Sequence, residues 1–290
     1  MSRFGKWATP WMFIIIPLLF YTIFFIIPFI QAIILSFTDW NGINPVRNYI
    51  GLSNYIDLFR DPLVWKAIKH NIVWVIVGTA SPIIISLFLS MLLWPHTRGS
   101  NLFQAAYFMP QILSTVIVAA IWSKVYHPLI GLLNQFLNAV GLGYLARGWL
   151  GSMDWALAAV LIAAIWSYFG FTLIVIMAGL QNVDMDLLDA ASIDGANSLQ
   201  RFFSVILPQI SHVLTMIIGY TLIGGFNVFD IVWVMTAGGP ANASEVISTL
   251  LYKRGFMEDR VALSAALAMV LTVLSLIASG IFIYFREKED

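Results

Sequence analysis

The chain has 290 residues, 60% of them apolar and only 10% charged, with a mean hydropathy of +0.87. A soluble domain carries about 45–50% apolar and about 25% charged residues, so this is an integral membrane protein, not a secreted enzyme, a nucleic-acid binder or a disordered scaffold. Fifteen basic residues balance fifteen acidic ones, so no net field attracts polyanions, and the lack of cysteine removes disulfides, thiolate catalysis and cysteine-held zinc or iron–sulfur centres.

A membrane span needs roughly 20 mostly apolar residues, because the hydrocarbon layer is about 30 Å thick. Six stretches qualify. The first, residues 11–37, carries no charge and is too long for the core of a signal peptide, so it reads as an uncleaved anchor, tilted and bent near Pro17 and Pro28. A polar connection over residues 38–69 follows. Its aromatics (Trp40, Tyr49, Tyr55, Phe59, Trp65) suit a membrane–water boundary. The second and third spans are expected at 71–94 and 102–122. Between the third and fourth, Leu133, Phe136, Leu137 and Val140 recur at helical spacing, with Asn134, Gln135 and Asn138 opposite. That pattern predicts an amphipathic helix lying in the interface or on the protein itself. The fourth span is expected at 155–180, the fifth at 210–236 and the sixth at 261–285.

An even number of spans places both termini on one side. The basic residues do not say which side: six fall on the terminal side (Arg3, Lys6, Arg98, Arg201, Arg286, Lys288) and nine opposite, on longer loops. Enzyme motifs are missing from the sequence. There is no phosphate-cradling Gly-x₄-Gly-Lys-Ser/Thr, no His-Glu-x-x-His, and Gly78-Thr-Ala-Ser81-Pro82 lacks the last glycine of a nucleophile elbow. His70, His96, His127 and His212 are scattered, so no metal site is expected, and Gly238-Gly239-Pro240 reads as a tight turn closing the fifth span.

The connection over 181–208 is the informative one. Asp184, Asp186 and Asp189 load the first turns of a short helix with the charge its N-terminus favours, and Leu187, Leu188 and Ala191 give it a narrow apolar face. Gly195 is the natural stop. Asn197 can cap the next helix, Gln200 completes a capping box, and Pro208 sets the entry into the fifth span. Periodicity alone allows two readings: a rigid knob gripped by a partner, or a surface linker.

The run Asp189-Ala190-Ala191-x₃-Gly195, then nine residues, Val205, one residue and Leu207-Pro208, resembles the EAA loop of ABC importer permeases. Two positions depart from the family pattern, Asp189 standing for Glu and Val205 for Ile. Phe37-Thr-Asp-Trp40, Gly51-Leu-Ser-Asn-Tyr55, Met109-Pro110, Gly131-Leu-Leu-Asn134, Trp166, Ile193-Asp-Gly-Ala196 and Thr236-Ala-Gly-Gly-Pro240 resemble its carbohydrate branch, in the maltose F-type and glycerol-3-phosphate A-type group. These matches run in order over about residues 10–285. The resemblance implies an all-α fold of six transmembrane helices, the type I importer permease fold, with both termini cytoplasmic in a bacterial cell membrane. It implies an anchor and connection over 1–69, a permease domain over 70–285 and a tail over 286–290. It also implies a non-catalytic subunit that binds no cofactor. The partners would be a second, homologous permease, a dimer of cytoplasmic ATPases that bind ATP and Mg, an extracytoplasmic solute-binding protein and membrane lipid, with no nucleic acid. Asp189, Ala190, Ala191, Asp194, Gly195 and Pro208 would couple the chain to the ATPase.

For the solute path, Tyr220, Thr221, Asn227 and Asp230 lie among Gly219, Gly224 and Gly225, and intramembrane polar residues are costly enough to suggest function. Thr221, Gly225 and Val228 share a face. With Tyr168 and Phe171, which the resemblance adds, they mark the expected substrate region. Asp230 reads better as an ion-pair member near the outer end of the fifth span. The alternatives kept open are interhelical packing for these residues, a substrate held by the partner permease instead of this chain, and glycerol-3-phosphate, a polyol or a uronate oligomer as solute. From other classes, a secondary carrier and a membrane-embedded hydrolase are weighed. The first lacks the expected internal repeat and the second a reactive pair within the bilayer.

Overall fold

A computed structural model describes residues 13–94, 99–286 and 288. Trp11, Arg3, Lys6, His96 and Arg98 therefore lie outside the described residues. Helices dominate, and the described residues contain an isolated antiparallel bridge, Thr38 to Tyr49, but no strand.

Two compact units share the chain, residues 1–64 with 250–273 and residues 65–249 with 274–290. The first unit opens with α1, Phe13–Leu35, none of whose apolar window is buried. Its turn at Thr22–Ile26 is a π-helix directly ahead of Pro28, which sits in the first turn of the helical segment that follows. A widened turn accommodates the residue that cannot donate an N–H. The polar, aromatic-bearing connection that follows has structure of its own. It folds into α2, Ser53–Arg60, whose buried Asn54 donates from Nδ2 to the carbonyls of Ser36 at 2.9 Å and Thr38 at 2.7 Å. Asp39 accepts from the Asn48 backbone at 2.8 Å, which holds its carboxyl below the usual carboxylate range. Arg254 donates to Asp61 at 2.6 Å and to Glu258 at 2.7 Å.

The second unit contains most of α3, Pro62–Leu93, then α4, Ser100–Ile112, and α5, Thr115–Val125. The continuous third span expected at 102–122 is not there, since α4 and α5 meet at 97°. Leu113 is extended after Pro110, and Ser114 starts α5 by accepting from the Ile117 N–H at 3.4 Å. A short helix, α6, Leu132–Ala139, follows.

The orientation of α6 also corrects the expectation. Leu137 is buried, but Phe136 and Val140 are exposed, and Asn134 faces inward at 4% exposure. Asn134 earns that place as a hub: its Nδ2 donates to the carbonyls of Pro128 at 3.0 Å and Arg147 at 2.9 Å, and its Oδ1 accepts from Trp149 Nε1 at 2.8 Å. Arg147 in turn lies over the rings of Trp149 and Trp155. Hydropathy cannot anticipate a buried amide whose bonds are all met.

Next come α7, Ala156–Leu180, α8, Met185–Ile193, α9, Ser198–Gln209, α10, Ser211–Phe226, and α11, Asp230–Thr236. Close packing fixes α4 against α7, because a Cβ on Gly170 would lie 2.0 Å from the Tyr107 carbonyl oxygen. The tight turn expected after α11 is present. Ala237 and Gly238 have φ of +49° and +82°, and the Gly239 N–H donates to the Thr236 carbonyl at 2.9 Å. Two helices close the chain, α12, Ile247–Tyr252, and α13, Val261–Arg286. Among the described residues, four helices are long and apolar enough to cross a membrane, or up to six if each bent pair counts as one span.

Candidate functional site

The loop over 181–208 folds as a helix–corner–helix. Asp184 caps α8 by accepting from the Asp186 N–H at 2.9 Å. At the other end the Ala196 N–H reaches the Ala191 carbonyl at 2.9 Å and the Gly195 N–H reaches that of Ser192 at 3.2 Å. That pair of bonds is the Schellman closure, which needs a left-handed residue at the turn. Gly195 supplies it with φ +82°. The expected capping box then starts α9, Asn197 Oδ1 accepting from the Gln200 N–H at 2.9 Å and Gln200 Oε1 from the Asn197 N–H at 2.8 Å.

Leu188 anchors the corner, buried in a cluster with Val183, Ile206 and Ile210, and Gln209 Oε1 accepts from the Asp184 N–H at 2.8 Å. Leu187 does not share that face; it is exposed, as are Ile193, Leu199 and Phe203. Asp189, Ala190, Asp194 and Pro208 are exposed too, and Ala191 is half-buried. Ahead of Pro208 the turn Phe202–Ile206 is a π-helix, and α9 meets α10 at 72°. The corner therefore presents carboxylates and bare apolar side chains on a backbone whose ends are hydrogen-bonded shut.

A second region is a cavity of about 510 Å³, within the usual size of small-molecule sites. Two helix interruptions line it. Gln111 and Thr115 come from either side of the α4–α5 bend, and Asn227, Val228 and Phe229 from the gap between α10 and α11. The fifth span expected at 210–236 is thus broken, not continuous. Asn227 ends α10, and the Phe226 carbonyl just before it accepts from Asn71 Nδ2 at 3.3 Å. Open backbone at membrane depth persists where it borders a cavity or is met by other protein groups.

Tyr168, Tyr220, Thr221, Gly225, Asn227 and Val228 all line this cavity. Phe171 does not; it backs the wall, its ring 5.6 Å from those of both Tyr168 and Tyr220. Tyr168 and Tyr220 stack at 11° and 6.4 Å. Tyr220 is 61% exposed, a flat apolar surface open to a ligand. The Tyr168 hydroxyl is buried and has no hydrogen-bond partner among the described residues. Thr221 contributes less than expected, because its hydroxyl is turned onto its own helix at the Ile217 carbonyl, 2.9 Å away. Gly225 serves packing: a Cβ there would come within 3.1 Å of Val75.

Asp230 also lines the cavity, as the first residue of α11, and no ion pair to it is found among the described residues. Sequence reasoning missed Gln111, Thr115 and Ser167. The signal available for the first two was Pro110 followed three residues on from Gln111 by a capping Ser114. Of the histidines, His70 Nδ1 lies 2.7 Å from the Glu245 carbonyl, His127 Nδ1 accepts from the Leu129 and Ile130 N–H groups, and the described residues hold no cluster fit for a metal ion.

Residues 82–288 match the family described as binding-protein-dependent transport system inner membrane component. The chain is 33% identical over 272 residues, 93% of each chain, to the probable ABC transporter permease protein YurN of Bacillus subtilis. It is 30% identical over 287 residues to the probable starch degradation products transport system permease protein AmyD of Thermoanaerobacterium thermosulfurigenes, covering 99% of this chain and 96% of that one. A chain in the crystal structure of a bacterial ABC transporter involved in the import of the acidic polysaccharide alginate shares the fold, with a TM-score of 0.83 over 99% of both chains at 22% identity.

Proposed function

The chain belongs to the family of binding-protein-dependent transport system inner membrane components, and from that premise we propose that it imports a sugar or oligosaccharide as one permease of a heterodimeric ABC transporter. In this reading residues 70–285 form the permease domain, the two bent pairs complete a set of six spans, and both termini face the cytoplasm of a bacterial cell. An extracytoplasmic binding protein delivers the solute, and a dimer of cytoplasmic ATPases, which binds ATP and Mg, supplies the energy. This chain catalyses nothing itself.

The observation that carries the reading is the corner at 189–195. A chain without a nucleotide-binding loop receives the energy of hydrolysis only through contact, and a contact transmits rigid-body motion when its backbone cannot flex. The Schellman closure and the capping box meet that requirement, and the exposed Asp189 and Asp194 offer charge to a basic groove. A partly exposed ion pair of that kind fixes register more than it adds affinity. Two ATPase states holding the corner in two positions then bias the cavity between outward and inward access. Sugar as the solute is supported by the relative named for starch degradation products and by a cavity that pairs an aromatic platform with amide and hydroxyl groups. Glycerol-3-phosphate, a polyol or a uronate oligomer is the competing solute.

The test is gentle extraction of the tagged chain from native membranes, with mass spectrometry of what accompanies it. The expected result is a second permease and a nucleotide-binding ATPase; a chain that comes out alone even after cross-linking sinks the proposal. Asp189→Lys is expected to cut ATPase recovery severalfold while Asp189→Glu retains it. Equal recovery with the Lys variant removes Asp189 from the contact.

A further inference from the structure

We infer that the cavity between the two helix interruptions admits an uncharged saccharide and turns away anionic ones, and that Asp230 sets this preference; the inference rests on the sugar-importer reading above. Among the described residues that line the cavity, Asp230 is the one charged group, and none is Lys, Arg or His. An anionic sugar entering such a space sheds water without gaining a counter-charge, which is among the costliest transfers a binding site can ask for. Sites that hold carboxylate or phosphate supply Arg forks or Lys ammonium groups at the ligand.

The surroundings sharpen the effect. Trp74, Leu161, Ile165 and Ile231 make much of the wall apolar, and a charge is screened less beside such a wall than in bulk water. One feature of the backbone would favour an anion, the positive end of α11. Asp230 occupies the first turn of that helix, so the protein's own carboxylate already offsets it. What remains is a neutral set: the amides of Gln111 and Asn227, the hydroxyls of Thr115 and Ser167, and the exposed ring of Tyr220. A neutral pyranose presents the matching surfaces, an apolar C–H face for the ring and a rim of hydroxyls for the amides. The buried Tyr168 hydroxyl, which has no hydrogen-bond partner among the described residues, is a further group that such a rim can satisfy. The fold relative that imports an acidic polysaccharide is thus expected to differ from this chain in the charge of this region.

The experiment uses the complex as purified with its accompanying subunits, in nanodiscs, with the binding protein left out so that it cannot do the selecting. Equilibrium dialysis measures binding of radiolabelled maltotriose, uncharged, and of trigalacturonate, its anionic counterpart of similar size. Wild type is expected to retain maltotriose at least roughly tenfold more tightly, the size of one partly screened like-charge contact at medium range. Asp230→Asn is expected to narrow that gap severalfold, and Asp230→Glu to keep it, which separates charge from folding. Equal binding of the two saccharides by wild type, or a ratio untouched by Asp230→Asn, overturns the inference while the importer reading stands. If neither saccharide binds, the carbohydrate reading falls and the inference with it, although co-purification of an ATPase would still identify an importer.

Discussion

The corner at 194–197 and the gap at 227–229 both interrupt a helix, yet they are held open by different means. The hydrogen bonds that close the corner all come from within a few residues of it: the Ala191 and Ser192 carbonyls, accepting around Gly195 at φ +82°, and the side chains of Asn197 and Gln200. The gap is held from a distance. Asn71, on α3, donates to the Phe226 carbonyl and accepts from the Ile247 N–H at 2.7 Å, and Val75 from the same helix packs on Gly225. A locally sealed element moves as a unit when pushed, which suits a handle. An element tied to partners far along the chain changes shape when those partners shift, which suits a gate. Mutations that act on one and spare the other test this division.

The largest expected effect is at the gap. Asn71→Leu keeps the side chain's volume but leaves the Ile247 N–H and the Phe226 carbonyl without their partner in a fully buried position. Each orphaned backbone group costs about 1–3 kcal/mol, so a total near 3 kcal/mol is expected, read as a lowered thermal midpoint of the purified complex. A midpoint equal to wild type would mean that the gap does not depend on α3. Gly195→Val comes next. Nothing lies within 4 Å of a Cβ at this position, so crowding plays no part and the cost is backbone strain alone, of order 1–3 kcal/mol for a bulky residue held at positive φ. The strain is confined to the corner. Uptake is expected to vanish while the chain still inserts and its thermal midpoint falls by less than that of Asn71→Leu; normal uptake removes the corner from the coupling path.

The same division explains what the amino-acid sequence reveals. The corner is legible residue by residue, because Gly195, Asn197 and Gln200 act on their immediate neighbours, and the stop, the cap and the capping box all sit where spacing puts them. The aromatic wall is legible as a region, since polar and aromatic residues in an apolar span are rare enough to mark it. The breaks are not. Residues 210–236 read as one apolar stretch because the donor that satisfies the Phe226 carbonyl is 155 residues away. Asn134 reads as part of the wet face of its helix because hydropathy sees an amide and not the four groups that meet it.

The smallest effect is the most discriminating. Asn197→Ala removes the acceptor of the Gln200 N–H while Gln200 Oε1 can still accept from residue 197, so half of the capping box is lost. Loss of such a cap costs about 1 kcal/mol, too little to change the melting of a membrane complex. It is enough to loosen the first turn of α9, where the exposed N–H groups have no other partner within the helix. Amide hydrogen exchange in residues 198–201 is expected to speed up roughly fivefold, and uptake to fall partially while Asn197→Asp, which restores an acceptor, stays near wild type. If exchange quickens and uptake is untouched, the corner need not be rigid to transmit force, and the contrast between handle and gate would rest on the position of the corner alone.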